Sequence, residues 1–310
     1  MSQVTPRLES VLLSFPTELL VEVVKNLTCL DILHARVTCK RLYEVTKSLL
    51  VWRHVVAQEP RQRLWLERPI NTYTSEELEG LALRRLSVEF GYDNLIKGAQ
   101  PHQRTISVSY DIGRTKLVPG GRWLLVTTLR GGIFYYDLDC EDVGPNVLIP
   151  EGSTQCIMRI AIDVDVSSPY LKFNLAFWVS RYCPPINNAN PCLNVWEIRL
   201  LLDDTGRGIG LEGNCRAKFS GGFHGPYSNI VLCGKYIAHG VDRPLTERIL
   251  GFSPWTMDHE YDRSYYCRQI PGFGGHGLAL LPNGQLFFLA ESHAVLYPRV
   301  STASGEPLKL

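Results

Sequence analysis

The chain has 310 residues, 45% of them hydrophobic, which is enough to bury at least one sizeable core and excludes disorder throughout. Lysine and arginine number 32 against 31 acidic residues, a net charge of +1, so no global basic field exists to condense a nucleic acid. Apolar runs such as Trp123 to Val126 fall far short of the roughly 20 residues that span a bilayer, and neither a nucleic acid nor a membrane is expected as a partner.

The opening Met1-Ser2-Gln3-Val4-Thr5-Pro6-Arg7 has no hydrophobic run and no small-residue cleavage site, unlike a secretory signal. Nine cysteines, an odd number without regular spacing, argue for free thiols in a reducing compartment, the cytoplasm or nucleus. Composition changes near residue 100. Before it, Leu, Glu, Arg and Lys dominate and apolar residues recur at helical spacing. After it come glycine pairs, prolines and short alternating apolar runs, so an all-α segment precedes an all-β one, with Gly98 to Pro101 as the hinge.

The first helix is expected to open at Pro16, since the first helical N–H has no partner to lose, with Ser14 near enough to cap it. Leu19, Leu20, Val23, Val24 and Leu27 then form a broad apolar stripe that demands a partner surface. Thr28 and Asp31 have the spacing of a capping box for a short second helix through Leu30, Ile32 and Leu33. Periodicity predicts a third helix from about Val37 through Leu42 and Val45, and Leu49, Leu50 and Trp52 close the unit. About 45 residues with three short helices stabilise themselves poorly, so the apolar face reads as half of an interface.

These residues carry a resemblance. Leu13-x-x-Pro16-x-x-Leu19-Leu20, Val24-x-x-Leu27, Leu30-Asp31-Ile32-Leu33, Val37-Thr38-Cys39-Lys40-Arg41-Leu42 and Leu50-Val51-Trp52 resemble, in order and spacing, an F-box over residues 11–55. Leu42 stands where that family often has an aromatic, for which Tyr43 can compensate. The resemblance implies docking onto the Skp adaptor, and through it a cullin-RING ubiquitin ligase, by Leu13, Pro16, Leu19, Leu20, Val23, Val24, Leu27, Leu30, Ile32, Leu33, Val37, Cys39, Leu42, Leu50 and Trp52. Residues 56–100 are expected to be a helical linker: a helix from Ser75 to about Val88, with Thr74 and Glu77 as its capping box, contains a Leu-Ala-Leu-Arg-Arg run similar to that after the F-box of fungal relatives.

Residues 101–310 read as a client-binding region. Ile106, Val108, Tyr110 and Ile112 alternate with polar residues, the pattern of a half-buried strand. Trp123 to Val126 and Ile133 to Leu138, joined through Gly131-Gly132, form a hairpin. Three further paired runs begin at Lys172, Gly234 and Gly284, giving four units with a period of roughly 50 to 60 residues. Tyr136-Asp137-Leu138 and Trp196-Glu197-Ile198 stand where WD-repeat blades often end in a Trp-Asp pair. The expected fold class is α+β in two parts, with a small N-terminal three-helix F-box and helical linker followed by an incomplete or small β-propeller. A β-sandwich is the alternative, and the unpatterned last ten residues suggest a chain shorter than a longer relative.

Nothing in this region carries chemistry by spacing. Gly272, Gly274 and Gly277 match a phosphate-loop pattern but lead into a strand rather than a helix. Gly206, Gly208 and Gly210 read as a flexible loop, and Cys183, Cys192 and Cys215 lack zinc-site spacing. His224, His239, His259, His276 and His293 are dispersed, and Asp163 and Asp165 have no third calcium ligand. Trp178, Tyr182, Tyr227, Trp255, Tyr261, Tyr265 and Tyr266 are candidates for a binding surface but name no ligand. No catalytic residue, metal or cofactor is assigned. The expected function is therefore that of a non-enzymatic subunit recruiting an unknown client to a ligase. The alternatives are a propeller lectin or hydrolase with an accessory helical domain, and an F-box protein acting outside ubiquitination.

Overall fold

The computed structural model describes residues 14–58, 66–98, 100, 104–152, 156–181, 192–220, 227–234, 236–241, 249–254, 275–280, 286–290 and 294–297. The chain divides into two units, Met1–Thr105 and Ile106–Leu310. Helices fill the first and antiparallel sheets the second.

The first unit opens with α1 (Thr17–Lys25), one residue later than the proline-first expectation: Pro16 is the N-cap, ψ 151°, and has no side-chain group to cap with. α2 (Cys29–Arg36) starts as its spacing predicts, the Thr28 hydroxyl accepting from the Asp31 N–H at 3.2 Å. α3 (Lys40–Thr46) begins three residues beyond Val37. Val37 instead closes α2, its N–H and that of Thr38 bonding back to the carbonyls of His34 and Ala35. Leu49, Leu50 and Trp52 belong to a fourth helix, α4 (Leu49–Gln58), so the described residues place four helices where three are expected.

After a 3₁₀ turn at Ile70–Thr72 comes α5 (Ser75–Ile96). Its capping box is reciprocal: Glu77 N–H donates to Thr74 Oγ1 at 3.3 Å and Thr74 N–H to Glu77 Oε2 at 2.8 Å. The helix runs two turns past Val88, through Gly91, whose cost of about 1 kcal/mol relative to alanine is too small to stop it. One core holds this unit together, with Leu20, Val24, Ile32, Val51 and Trp52 packed against Leu78 and Ala82 of α5. The segment expected as a helical linker thus supplies part of the first unit's core.

The second unit contains four antiparallel sheets among the described residues, each a simple meander. Sheet 1 is β1 (Ile112–Leu117), β2 (Trp123–Thr128), β3 (Ile133–Asp137) and β4 (Asn146–Ile149). Sheet 2 is β5 (Cys156–Val164), β6 (Lys172–Arg181), β7 (Cys192–Leu202) and β8 (Gly208–Ser220). Sheet 3 is β9 (Tyr227–Cys233), β10 (Tyr236–Val241) and β11 (Ile249–Pro254). Sheet 4 is β12 (Gly275–Leu280), β13 (Leu286–Ala290) and β14 (Ala294–Tyr297).

The β2–β3 hairpin forms at Gly131, φ +80°, a conformation that L side chains avoid. Residues 106–111 are not a strand, although they alternate. Tyr110 lies over sheet 1, its ring stacked on Phe134 at 4.7 Å and its hydroxyl bonded to that of Tyr136. Half-burial against a sheet produced the period-2 pattern without a strand ladder; the Asp111 carbonyl accepts from Leu129 N–H at 3.2 Å, but the segment is not extended into a strand.

Apolar layers separate successive sheets. Trp123, Leu125, Ile133 and Tyr135 meet Phe173, Leu175, Ile198 and Leu200 between sheets 1 and 2. Ala176, Trp178, Leu193 and Val195 meet Ile230, Leu232 and Ile237 between sheets 2 and 3. The first strands touch in series, β1 with β5, β5 with β9, and β9 with β12. Serial contact of first strands in meandering sheets is consistent with a partial β-propeller. Polar ties stitch the layers. Arg122 forks onto Asp137 at 2.9 and 2.7 Å and donates to the Gly208 carbonyl at 2.8 Å, while Asp163 Oδ2 accepts from the Gly234 N–H at 2.6 Å.

Candidate partner-binding face

The apolar residues of the first unit separate into two sets. Leu20 and Val24 are 1% and 2% exposed, whereas Leu19 and Val23, one position earlier in each turn and so about 100° round the helix, are 52% and 45% exposed. Ile32 and Trp52 join Leu20 and Val24 in the core, with Leu27 partly buried against them. Leu33, Cys39 and Leu42 are half-buried. Pro16, Leu30, Val37 and Leu50 are exposed, and Leu13 lies outside the described residues. A stripe wide enough to serve both interior and surface cannot be divided from sequence, because the two sets differ by one residue in phase.

Phe15 and Tyr43 are exposed apolar residues that the sequence reading leaves out of the face. Phe15 sits directly before the opening proline, a position that could have pointed to it. The Arg41 guanidinium donates to the Phe15 carbonyl, fastening the start of α1 to α3. The Lys47 ammonium lies 4.3 Å from the Tyr43 ring centroid, and that tyrosine's hydrogen bond raises the lysine's pKa. Phe15, Leu19, Val23, Leu30, Val37, Tyr43 and Leu50 are all large, apolar and exposed on a small unit whose interior is already filled without them. Such an arrangement can bury surface against another protein.

In the second unit several charged groups pair with one another. Asp165 accepts from Ser167 N–H and Oγ and pairs with Lys172 at 3.5 Å, while burial pushes the Asp163 carboxyl upward. Among the described residues no group of three His, Cys, Asp or Glu could hold a metal, and no helix is long and apolar enough to cross a membrane. Gly206, φ +77°, lies in the β7–β8 turn, but Gly208 and Gly210 belong to β8 rather than a loop. A Cβ on Gly208 would stand 3.0 Å from the Leu200 side chain and 3.2 Å from that of Arg122, a tight fit that a larger residue would relieve only by shifting those side chains. Trp178 is core. Cys183, His224, His259, His293, Tyr182, Trp255, Tyr261, Tyr265, Tyr266, Gly272 and Gly274 lie outside the described residues.

The F-box domain family matches residues 12–54. Among curated proteins none matches the chain. A solved structure similar to it, described as "Crystal structure of the WD40 domain of SCAP from fission yeast", is 8% identical with a TM-score of 0.36, and the likeness covers 60% of this chain. It spans 39% of that structure's chain. Residues 12–54 are an F-box domain, followed in the same chain by a β-rich unit.

Proposed function

We propose that this chain is the client-recruiting subunit of a Skp-cullin-F-box ubiquitin ligase, acting in the cytoplasm or nucleus. The F-box docks the Skp adaptor and the β-rich unit holds a client protein. The observation that carries the reading is the set of large exposed apolar side chains on an F-box that has a core of its own. Burial of such surface is worth roughly 25 cal/mol per Å² before the entropic cost of association. The subunit makes and breaks no covalent bond itself. It raises the local concentration of a client lysine beside a charged conjugating enzyme.

Leu19 and Val23 stand on the exposed side of α1, so the double substitution Leu19→Asp, Val23→Asp is expected to change the unit's stability by no more than about 1 kcal/mol. It should weaken adaptor binding at least tenfold, a loss of about 1.4 kcal/mol or more. Calorimetric titration of the purified chain with adaptor reads this directly. Binding unchanged by the double substitution would remove α1 from the interface. Co-purification of cullin with the bound adaptor then separates ligase assembly from an F-box acting elsewhere.

A further inference from the structure

We infer that Arg36 and Glu79 are positioning residues: their ion pair fixes the direction in which α5 leaves the F-box. The inference rests on the ligase reading, because direction matters only if a client must be presented to a conjugating enzyme.

α5 has two unlike halves. Its first turns are embedded, with Leu78 and Ala82 in the core, Ser75 Oγ donating to the Lys47 carbonyl at 2.6 Å, and Glu77 paired with Arg68 at 2.6 Å. From Ser87 to Ile96 every residue whose burial is described is exposed, including Val88, Tyr92 and Ile96. At 1.5 Å per residue that half is an arm of about 15 Å, and a tilt of about 10° at its base moves its tip by about 3 Å. A short helix by itself is marginal in water, so the arm also depends on the embedded half for its nucleus.

Apolar contacts at Leu78 and Ala82 hold the base but are non-directional. Arg36 supplies direction. Its Nη1 and Nη2 fork onto the two Glu79 carboxylate oxygens, the second at 3.0 Å, while Nε reaches Thr46 Oγ1 at 3.2 Å and Nη2 the Thr46 carbonyl at 3.3 Å. The guanidinium also faces the Trp52 ring at 5.7 Å. One planar group therefore joins α2, the end of α3, α4 and α5, and a bidentate fork resists rotation as a single contact does not. Both side chains are largely buried, which makes a direct adaptor contact an unsuitable account of them.

Nitroxides introduced as noncanonical amino acids at the exposed Glu22 and Asp93 of the full chain report the arm's direction as a pulsed-EPR distance distribution. The unsubstituted chain should give one narrow distribution. Glu79→Gln, which keeps the volume and loses the charged fork, should at least double its width while helix content stays unchanged. Arg36→Lys, which keeps the charge and loses the plane, should broaden it similarly. In a ligase reconstituted from this chain, adaptor, cullin and conjugating enzyme, the set of the chain's own lysines that receive ubiquitin should spread in both variants, with adaptor affinity within twofold. A distribution as narrow in Glu79→Gln as in the parent overturns the inference. So does a broadened distribution with an unchanged lysine set, which would reduce the pair to a structural role. Failure of the unsubstituted chain to bind adaptor sinks the ligase reading instead, and is distinguishable because the distance measurement needs no adaptor.

Discussion

Leu20→Asp should unfold the first unit rather than merely release a partner. Leu20 is 1% exposed and packed among Val24, Ile32 and Trp52. Truncating such a leucine costs about 2–5 kcal/mol, and placing an unpaired carboxylate there adds several more. Domains of this size are stable by about 5–15 kcal/mol, so most of the stability should be lost. Hydrogen exchange across residues 17–58 of the full chain would rise towards the unprotected rate, and the helical circular-dichroism signal would fall. Adaptor binding would vanish as well, but for a reason opposite to that in the Leu19→Asp, Val23→Asp chain, which should lose the adaptor with its helices intact. Retention of full protection in Leu20→Asp would mean that Leu20 is not the interior residue described above.

Glu197→Ala is expected to be the most damaging single polar change in the β-rich unit. Its carboxylate, 7% exposed, takes Lys172 at 3.2 Å, Arg216 at 2.8 Å and the Arg199 guanidinium, bracing β6, β7 and β8. Removing it leaves three cations facing one another, and loss of one partner from a buried pair costs about 3–5 kcal/mol. Partial exposure of Arg199 and Arg216 places the expected loss at the lower end, about 3 kcal/mol. Denaturant unfolding followed by tryptophan fluorescence measures it, and a midpoint within error of the parent would refute the bracing role.

The same site sets an acid limit. Burial pushes the Glu197 carboxyl up, but hydrogen bonds from Arg216, Lys172 and Arg199 outweigh it, and the net shift is downward. Asp137 behaves alike: burial raises it, and Arg122 with the Asp139 N–H brings it below its usual value. A carboxylate with a lowered folded pKa contributes stability above its unfolded value, about 4.3 for Glu and 3.9 for Asp, and loses it as pH falls through the folded value. The unfolding midpoint should therefore hold from pH 7 to about 5 and drop below about 4, with a shallower drop in Glu197→Gln.

Local signals were legible in the sequence where neighbours along the chain decide the structure. Thr28 with Asp31 and Thr74 with Glu77 cap the helices they announce, and Gly131 turns the hairpin expected of it. What sequence hid was long-range. Arg36 and Glu79 are 43 residues apart, and Lys172 and Arg216 reach Glu197 from neighbouring strands, so no spacing rule brings these together; only Arg199, two residues along the same strand, shares a face with Glu197 by spacing. The alternation over residues 106–112 was real but ambiguous, because period 2 reports which side is covered and not what supplies the hydrogen bonds. The candidate face was half legible: the family pattern located the residues, while only packing separates Leu19 and Val23 from Leu20 and Val24.

Because among the described residues first strands meet in sequence, β1 on β5, β5 on β9 and β9 on β12, each sheet leans chiefly on the ones beside it. Injury to sheet 1 should then be felt strongly in sheet 2 and faintly beyond, as in a row of dominoes rather than a single sphere. Evolution could remodel one member of such a row, and the loops it carries, while the others kept their shape.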